Sequence, residues 1–186
     1  DGKVKEQLDD PEAWDNGSEL WVPWTKTVER QLQAWGLQMK IPEWWFGYRG
    51  GSVTEELEAK DEEGEGARIA IYDLPSGYFG LYVDHLATVE EALANWKKVL
   101  LSDNDPSIRF VKEETEIWRG RTAMRVQFTG LRTDNNIGDI TYTVDMLLIA
   151  KDGYVYTLFN KIDDVSRTPE MVEQFEQVVD SFQFTS

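Results

Sequence analysis

The alternation of apolar and polar positions changes character along this chain, and it is clearest over residues 140–162, ITYTVDMLLIAKDGYVYTLFNKI. Two strand-like runs meet there across Asp152-Gly153, a pair that supplies the positive φ angles of a type I′ hairpin. With a two-residue loop, Ala150 faces Val155, Ile149 faces Tyr156, Leu148 faces Thr157, Leu147 faces Leu158 and Met146 faces Phe159. Near the turn both faces are then apolar, whereas a half-solvated sheet would alternate. The pattern predicts a central strand pair covered above and below. Leu147, Ile149, Tyr156 and Leu158 share one face; Met146, Leu148, Val155 and Phe159 share the other.

The rest of the chain reads more weakly. Leu37, Met39 and Ile41 alternate as a strand running into Pro42, while Val28, Leu32 and Trp35 have helical spacing and leave 27–35 ambiguous. Pro42-Glu43-Trp44-Trp45 must turn a corner, because proline lacks the donor a central strand needs. Val53, Leu57 and Ala59 read as a strand, and Ala67, Ile69 and Ile71 as another; 61–66, DEEGEG, is a solvated loop and 74–80 an irregular connection. Thr88 with Glu91 forms a capping box that opens a helix, whose apolar stripe is Val89, Leu93, Trp96, Val99 and Leu100.

A second hairpin turns at Arg119-Gly120, with Ile117 facing Thr122, Thr115 facing Met124, Val111 facing Phe128 and Glu114 facing Arg125. One of its faces is expected in the core; the other carries Trp118, Arg121, Glu116, Glu114, Arg125 and Lys112. Thr168 caps the last helix, Pro169 is its first residue, and Val172, Phe175, Val179 and Phe182 form its stripe. The order predicts an α+β fold: a central antiparallel sheet of about six or seven strands with helices packed on it, an αβα-like sandwich. Residues 1–26 read as an irregular Trp-containing arm and 27–186 as one domain.

Composition narrows the function. Nineteen Lys and Arg against 35 Asp and Glu give a net charge of −16, which repels a phosphate backbone, so nucleic acid is not an expected partner. The chain has no cysteine, which removes disulfides, thiolate nucleophiles and cysteine metal sites. No apolar run reaches the ~20 residues of a membrane span. A start at Asp1 leaves room for a removed signal or lipid-anchored leader.

Candidate chemistry is sparse. His85 is the single histidine, so no multi-histidine zinc site can form, and no Gly-x-Ser-x-Gly elbow accompanies it; a partly buried, non-catalytic histidine is expected. Glu113, Glu114 and Glu116 lie on one strand, where near neighbours mostly alternate faces, unlike the paired carboxylates held across a glycosidase cleft. Residues 134–139 and 103–105 carry Asp and Asn but lack the ligand spacing of an EF-hand, and read as polar turns. No catalytic residue, metal or cofactor is expected. Six of the eight tryptophans fall at positions 14, 21, 24, 35, 44 and 45. Most are expected in core or clamp roles. Trp44, Trp45 and Tyr48 are the candidate ligand-binding residues, since neighbouring side chains on an extended segment point apart and one can face solvent.

From Leu37 onward, over about 150 residues, the layout resembles the PsbP-like fold, which groups extrinsic photosystem II PsbP, Ran-binding Mog proteins and DcrB-type bacterial lipoproteins. The likeness is carried by Leu37-Gln38-Met39-Lys40-Ile41-Pro42-Glu43-Trp44, Thr88-Val89-Glu90-Glu91, Trp118-Arg119-Gly120-Arg121-Thr122-Ala123, Asp152-Gly153-Tyr154-Val155-Tyr156, Phe175 and Ser181-Phe182. The resemblance implies a binding or assembly factor without catalytic machinery. The expectation is a non-enzymatic extracytoplasmic module, secreted or on a bacterial cell surface, possessing a protein or cell-envelope partner. A glycan bound at the Trp44-Trp45 corner is one alternative, and an intracellular chaperone or adaptor for a secretion client is another.

Overall fold

The computed structural model describes residues 27–32, 35–42, 53–54, 67–74, 77–102 and 105–185. Its elements in chain order are β1 (Thr27–Leu32), β2 (Leu37–Pro42), β3 (Val53–Thr54), β4 (Ala67–Leu74), β5 (Gly77–Asp84), α1 (Val89–Ser102), β6 (Arg109–Trp118), β7 (Arg121–Asp134), β8 (Gly138–Lys151), β9 (Tyr154–Asp163), α2 (Pro169–Ser181) and β10 (Gln183–Phe184). The α+β class stands. The single sheet that was expected does not: the strands divide between two antiparallel sheets, one ordered β1-β2-β10 and one ordered β3-β4-β5-β9-β8-β7-β6.

The hairpin at the centre of the larger sheet forms in the register its turn dictates, from Ala150 opposite Val155 to Met146 opposite Phe159. Asp152 and Gly153 have φ of 52° and 81°, the left-handed values that an Asp-Gly pair tolerates. Its two faces enter separate cores. Leu147, Ile149, Tyr156 and Leu158 pack with Leu37, Met39 and Ile41 of β2 and with Phe175, Val178 and Val179 of α2. Met146, Leu148, Val155 and Phe159 pack with Val89, Ala92 and Leu93 of α1. One covering layer is thus a helix and the other is a helix beside the small sheet, which is how a strand pair apolar on both sides is kept from water.

Each helix is fastened by more than its stripe. Thr88 Oγ1 accepts the Glu91 amide at 3.1 Å while Glu91 Oε2 accepts the Thr88 amide at 3.3 Å, the reciprocal capping box. Trp96 stacks on Phe159 at 5.4 Å, meets Tyr82 edge-on at 5.1 Å, and donates its indole N–H to the buried Thr157 hydroxyl at 3.3 Å. That bond satisfies a polar group at the sheet centre. Thr168 caps α2, Pro169 stands in its first turn, and at its far end Ser181 Oγ accepts the Lys40 amide of β2 at 2.8 Å. Val99, placed on the α1 stripe by spacing, is 52% exposed at the helix flank.

Three local expectations are corrected. Residues 27–32 form strand β1 antiparallel to β2 rather than helix. The expected irregular connection at 74–80 holds the start of β5, a full partner of β9 from Gly77 opposite Ile162 to Asp84 opposite Val155. Gly77 hid it: glycine weakens a strand reading, yet a Cβ there would lie 1.9 Å from the Lys161 carbonyl oxygen, so the close approach of β9 requires the glycine. On the β6–β7 hairpin a bulge at Val111 sets Phe110, not Val111, opposite Phe128. Beyond the bulge the faces also differ from expectation, since Trp118 is buried and Ile117 is 71% exposed. Only the first two residues of the strand read at 53–60 are described, as β3, and 1–26 lies outside the described residues.

Candidate functional site

Both tight hairpins turn at the same end of the large sheet, and the C-terminal strand β10 closes over that end. The first turn, Arg119-Gly120, has φ of 48° and 77°. Arg119 donates its Nη1 to the Phe182 carbonyl at 2.6 Å and its Nη2 to the Asp180 carbonyl. These carbonyls belong to the C-terminal turn of α2 and its cap, where a cation is favoured by unpaired acceptors and the helix dipole. The turn therefore pins α2, and the chain beyond it, to the sheet edge.

Phe184 of β10 is then placed against Trp118, Tyr156 and Phe182, with ring centroids 6.3, 5.0 and 5.2 Å away. Over the same Phe184 ring lie two cations, Arg121 Cζ at 5.2 Å and Lys151 Nζ at 5.3 Å. Arg119 lies over Trp118 at 4.7 Å. Rings attract cations through their quadrupole and hold the flat guanidinium in a fixed orientation. Lys151 is paired with Asp152 at 2.7 Å. The hydrogen bond from Lys151, reinforced by its charge, keeps the Asp152 carboxyl below its ordinary pKa. No ion pair joins Arg121 to a carboxylate among the described residues. On the same face Tyr154, which packs against the same core as Phe184, meets exposed His85 at 4.9 Å with the rings tilted by 30°; the expected partial burial of His85 is not found. The surface offers cations and aromatic edges, and among the described residues it presents no nucleophile beside a base.

This framework has solved counterparts at the level of fold. No protein-family model matches the chain, and no curated protein matches it. The solution structure of cyanobacterial PsbP (CyanoP) from Synechocystis sp. PCC 6803 superposes with a TM-score of 0.59 at 10% identity, covering 91% of this chain and 99% of that one. The chain has a PsbP-like fold. Looser matches are the Ran-binding protein Mog1p of Saccharomyces cerevisiae, with a TM-score of 0.48, 12% identity and coverage of 87% and 96%, and LpqN of Mycobacterium tuberculosis, involved in cell envelope biogenesis, with 0.38, 12%, 80% and 72%. At such identities the likeness concerns fold, and function must be argued from the site.

In this PsbP-like frame, Trp44, Trp45 and Tyr48 lie outside the described residues. Trp35, from the same tryptophan-rich region, is 5% exposed in the core under the small sheet. The carboxylates of β6 are engaged by neighbours: Glu113 by Lys97, Glu114 by Lys112, and Glu116 by Arg125, which also reaches Glu176 of α2 at 2.8 Å. Glu114 does stand opposite Arg125, but the guanidinium bonds elsewhere. Asp134 Oδ1 accepts the amides of Asn136 and Ile137 at 2.8 and 3.1 Å, as in a polar turn, and these bonds lower its pKa. Among the described residues no group of three metal-ligating side chains occurs, and no helix is long and apolar enough to cross a membrane.

Sequence reasoning missed Lys151 and Phe184 and treated Arg119 and Arg121 only as turn residues. One signal was available: continuing the β7–β8 register past Ala123 opposite Ile149 sets Arg121 across from Lys151. Phe184 carried no comparable signal, because a two-residue strand has no period.

Asp84 ends β5 at this same end, and burial raises its carboxyl pKa. The folded carboxyl thus holds its proton more tightly than the unfolded one. Ionised Asp84 therefore costs stability near neutral pH, and that cost disappears as pH falls through the folded pKa towards the unfolded value. Asp84→Asn should melt above the parent near neutrality, with the difference shrinking on acidification. Equal melting temperatures at neutral pH would contradict this.

Proposed function

We propose that this protein is a non-enzymatic binding or assembly module that works outside the cytoplasm and contacts a protein partner through the end of the sheet bearing the two tight turns. The observation that carries the reading is Arg121 and Lys151 held over one ring, Phe184, at the outer end of a sheet whose centre is sealed on both faces. Phe184 and Arg121 are partly exposed, and aromatic rings carrying arginine on rigid elements are enriched in binding surfaces. A charge of −16 supports an extracytoplasmic setting, where strong acidity limits self-association. The fold shared with CyanoP is compatible with such a role.

The reading is tested by comparing two affinity columns, one carrying the protein and one carrying Arg121→Glu/Lys151→Glu with unchanged circular dichroism. Extracellular and envelope fractions of the source organism are passed over both. One protein should be retained by the first column and lost from the second. Equal retention on both columns would place the contact elsewhere.

A further inference from the structure

We infer that the surface over Phe184 recognises an acidic segment of the partner, whose Asp or Glu carboxylates occupy the space between Arg121 and Lys151. This rests on the binding reading above and gives it a chemistry. Continuing the β7–β8 register two residues past its last pair, Ala123–Ile149, sets Arg121 across from Lys151. Like charges directly opposite across strands destabilise a sheet. Here they are nonetheless brought to the same ring, 5.2 and 5.3 Å from its centroid. The Asp152 carboxylate answers the lysine. Arg121 makes no hydrogen bond or close ion pair with a carboxylate among the described residues; the Asp152 carboxylate feels its charge only at longer range, and the planar guanidinium donors match a carboxylate in two-pronged fashion.

The other charges at this end do not cancel that arrangement. Arg119 is occupied by the α2 carbonyls. Glu116, on the neighbouring strand, is bonded to Arg125. Asp180 is exposed at the end of α2, and only its backbone carbonyl is engaged by Arg119.

An anionic membrane has the same charge but the wrong shape. A flat, extended negative plane would face much of a chain carrying −16, whereas a short acidic segment confines its charge to this end, within a screening length of about 8–10 Å. The partner segment is therefore a peptide, and binding weakens with salt.

The test is fluorescence anisotropy of a labelled octaglutamate peptide titrated with the full chain at low salt, beside an octaglutamine peptide and phosphatidylglycerol vesicles. Octaglutamate should bind saturably, and octaglutamine and the vesicles should not. Arg121→Glu should weaken octaglutamate binding about tenfold or more and Arg121→Gln less, while Lys98→Glu, an exposed cation on α1, should leave it within about twofold. Circular dichroism verifies each fold, and Arg121→Gln decides if Arg121→Glu is unfolded. Absence of saturable octaglutamate binding, binding insensitive to Arg121, or vesicle binding in place of peptide binding would each overturn the inference. A partner retained on the affinity column that binds through a segment without Asp or Glu would overturn this chemistry while leaving the binding module standing. Equal retention on both columns would remove that reading, whatever octaglutamate does.

Discussion

Leu147→Asp should abolish the cooperative thermal transition, and Met146→Asp should do the same independently. The two residues are neighbours in sequence but serve different cores, Leu147 against α2 and the small sheet, Met146 against α1, and they are 0% and 1% exposed. Each substitution removes a large apolar side chain, at about 2–5 kcal/mol, and buries a carboxylate, costing several kcal/mol more unless it stays protonated; Arg125, the cross-strand neighbour of Leu147, is already engaged by Glu116 and Glu176. Native domains hold only about 5–15 kcal/mol in total. Calorimetry and near-ultraviolet circular dichroism would show the loss. A Met146→Asp variant that still melted cooperatively would mean that α1 does not close its side of the sheet. The conservative change Leu147→Met, which keeps volume, should cost less than about 1.5 kcal/mol.

Arg132→Met should destabilise the domain by about 3 kcal/mol, the scale seen when one partner of a buried pair is removed. Arg132 of β7 donates from Nε and Nη2 to the two oxygens of Asp163 at 3.0 and 2.5 Å, across the intervening strand β8. The Asp163 side chain is 3% exposed, whereas that of Arg132 is 37% exposed, so the variant leaves a buried carboxylate without its hydrogen-bonding cation, with the nearby charge of Lys161 remaining. Asp163→Asn in the Arg132→Met background should recover part of the loss, because a neutral amide costs less to bury than an unpaired carboxylate. Urea denaturation of the two variants measures both steps. A loss below about 0.5 kcal/mol for Arg132→Met would show that the pair contributes as little as an exposed one.

How much of this was legible beforehand depends on how local the determinants were. The Asp152-Gly153 hairpin could be read to the residue because turn chemistry fixes register and the side-chain period then fixes both faces. Thr88 with Glu91, and Thr168 with Pro169, announced two helix starts by the same kind of short-range logic. Strand β5 was obscured because Gly77 and Gly80 serve close approaches, to the β9 backbone and to the Tyr82 ring, that only the folded neighbours reveal. The division into two sheets was equally invisible. Strand β10 pairs with β2 across most of the chain, Phe184 opposite Leu37, and no local pattern encodes a contact of that separation.

The candidate site shows the same limit more sharply. Trp118, Arg119 and Arg121 were visible as a turn, yet their joint role depends on Phe184 and on the α2 carbonyls arriving from the far end of the sequence. The register from Glu114 to Trp118 is the expected one, yet Trp118 is buried and Ile117 exposed, because Phe182 and Phe184 from the far end of the chain cover Trp118.

If the end of the sheet that carries both tight turns is the partner surface, site-specific photo-cross-linking shows it most directly, with p-benzoylphenylalanine placed at exposed Thr185, next to Phe184, and separately at Ile137, which is 75% exposed in the β7–β8 turn at the opposite end. A discrete partner adduct is predicted from position 185, lost in an Arg121→Glu background, and none from position 137. The same adduct from position 137, or its absence from 185, would contradict this placement.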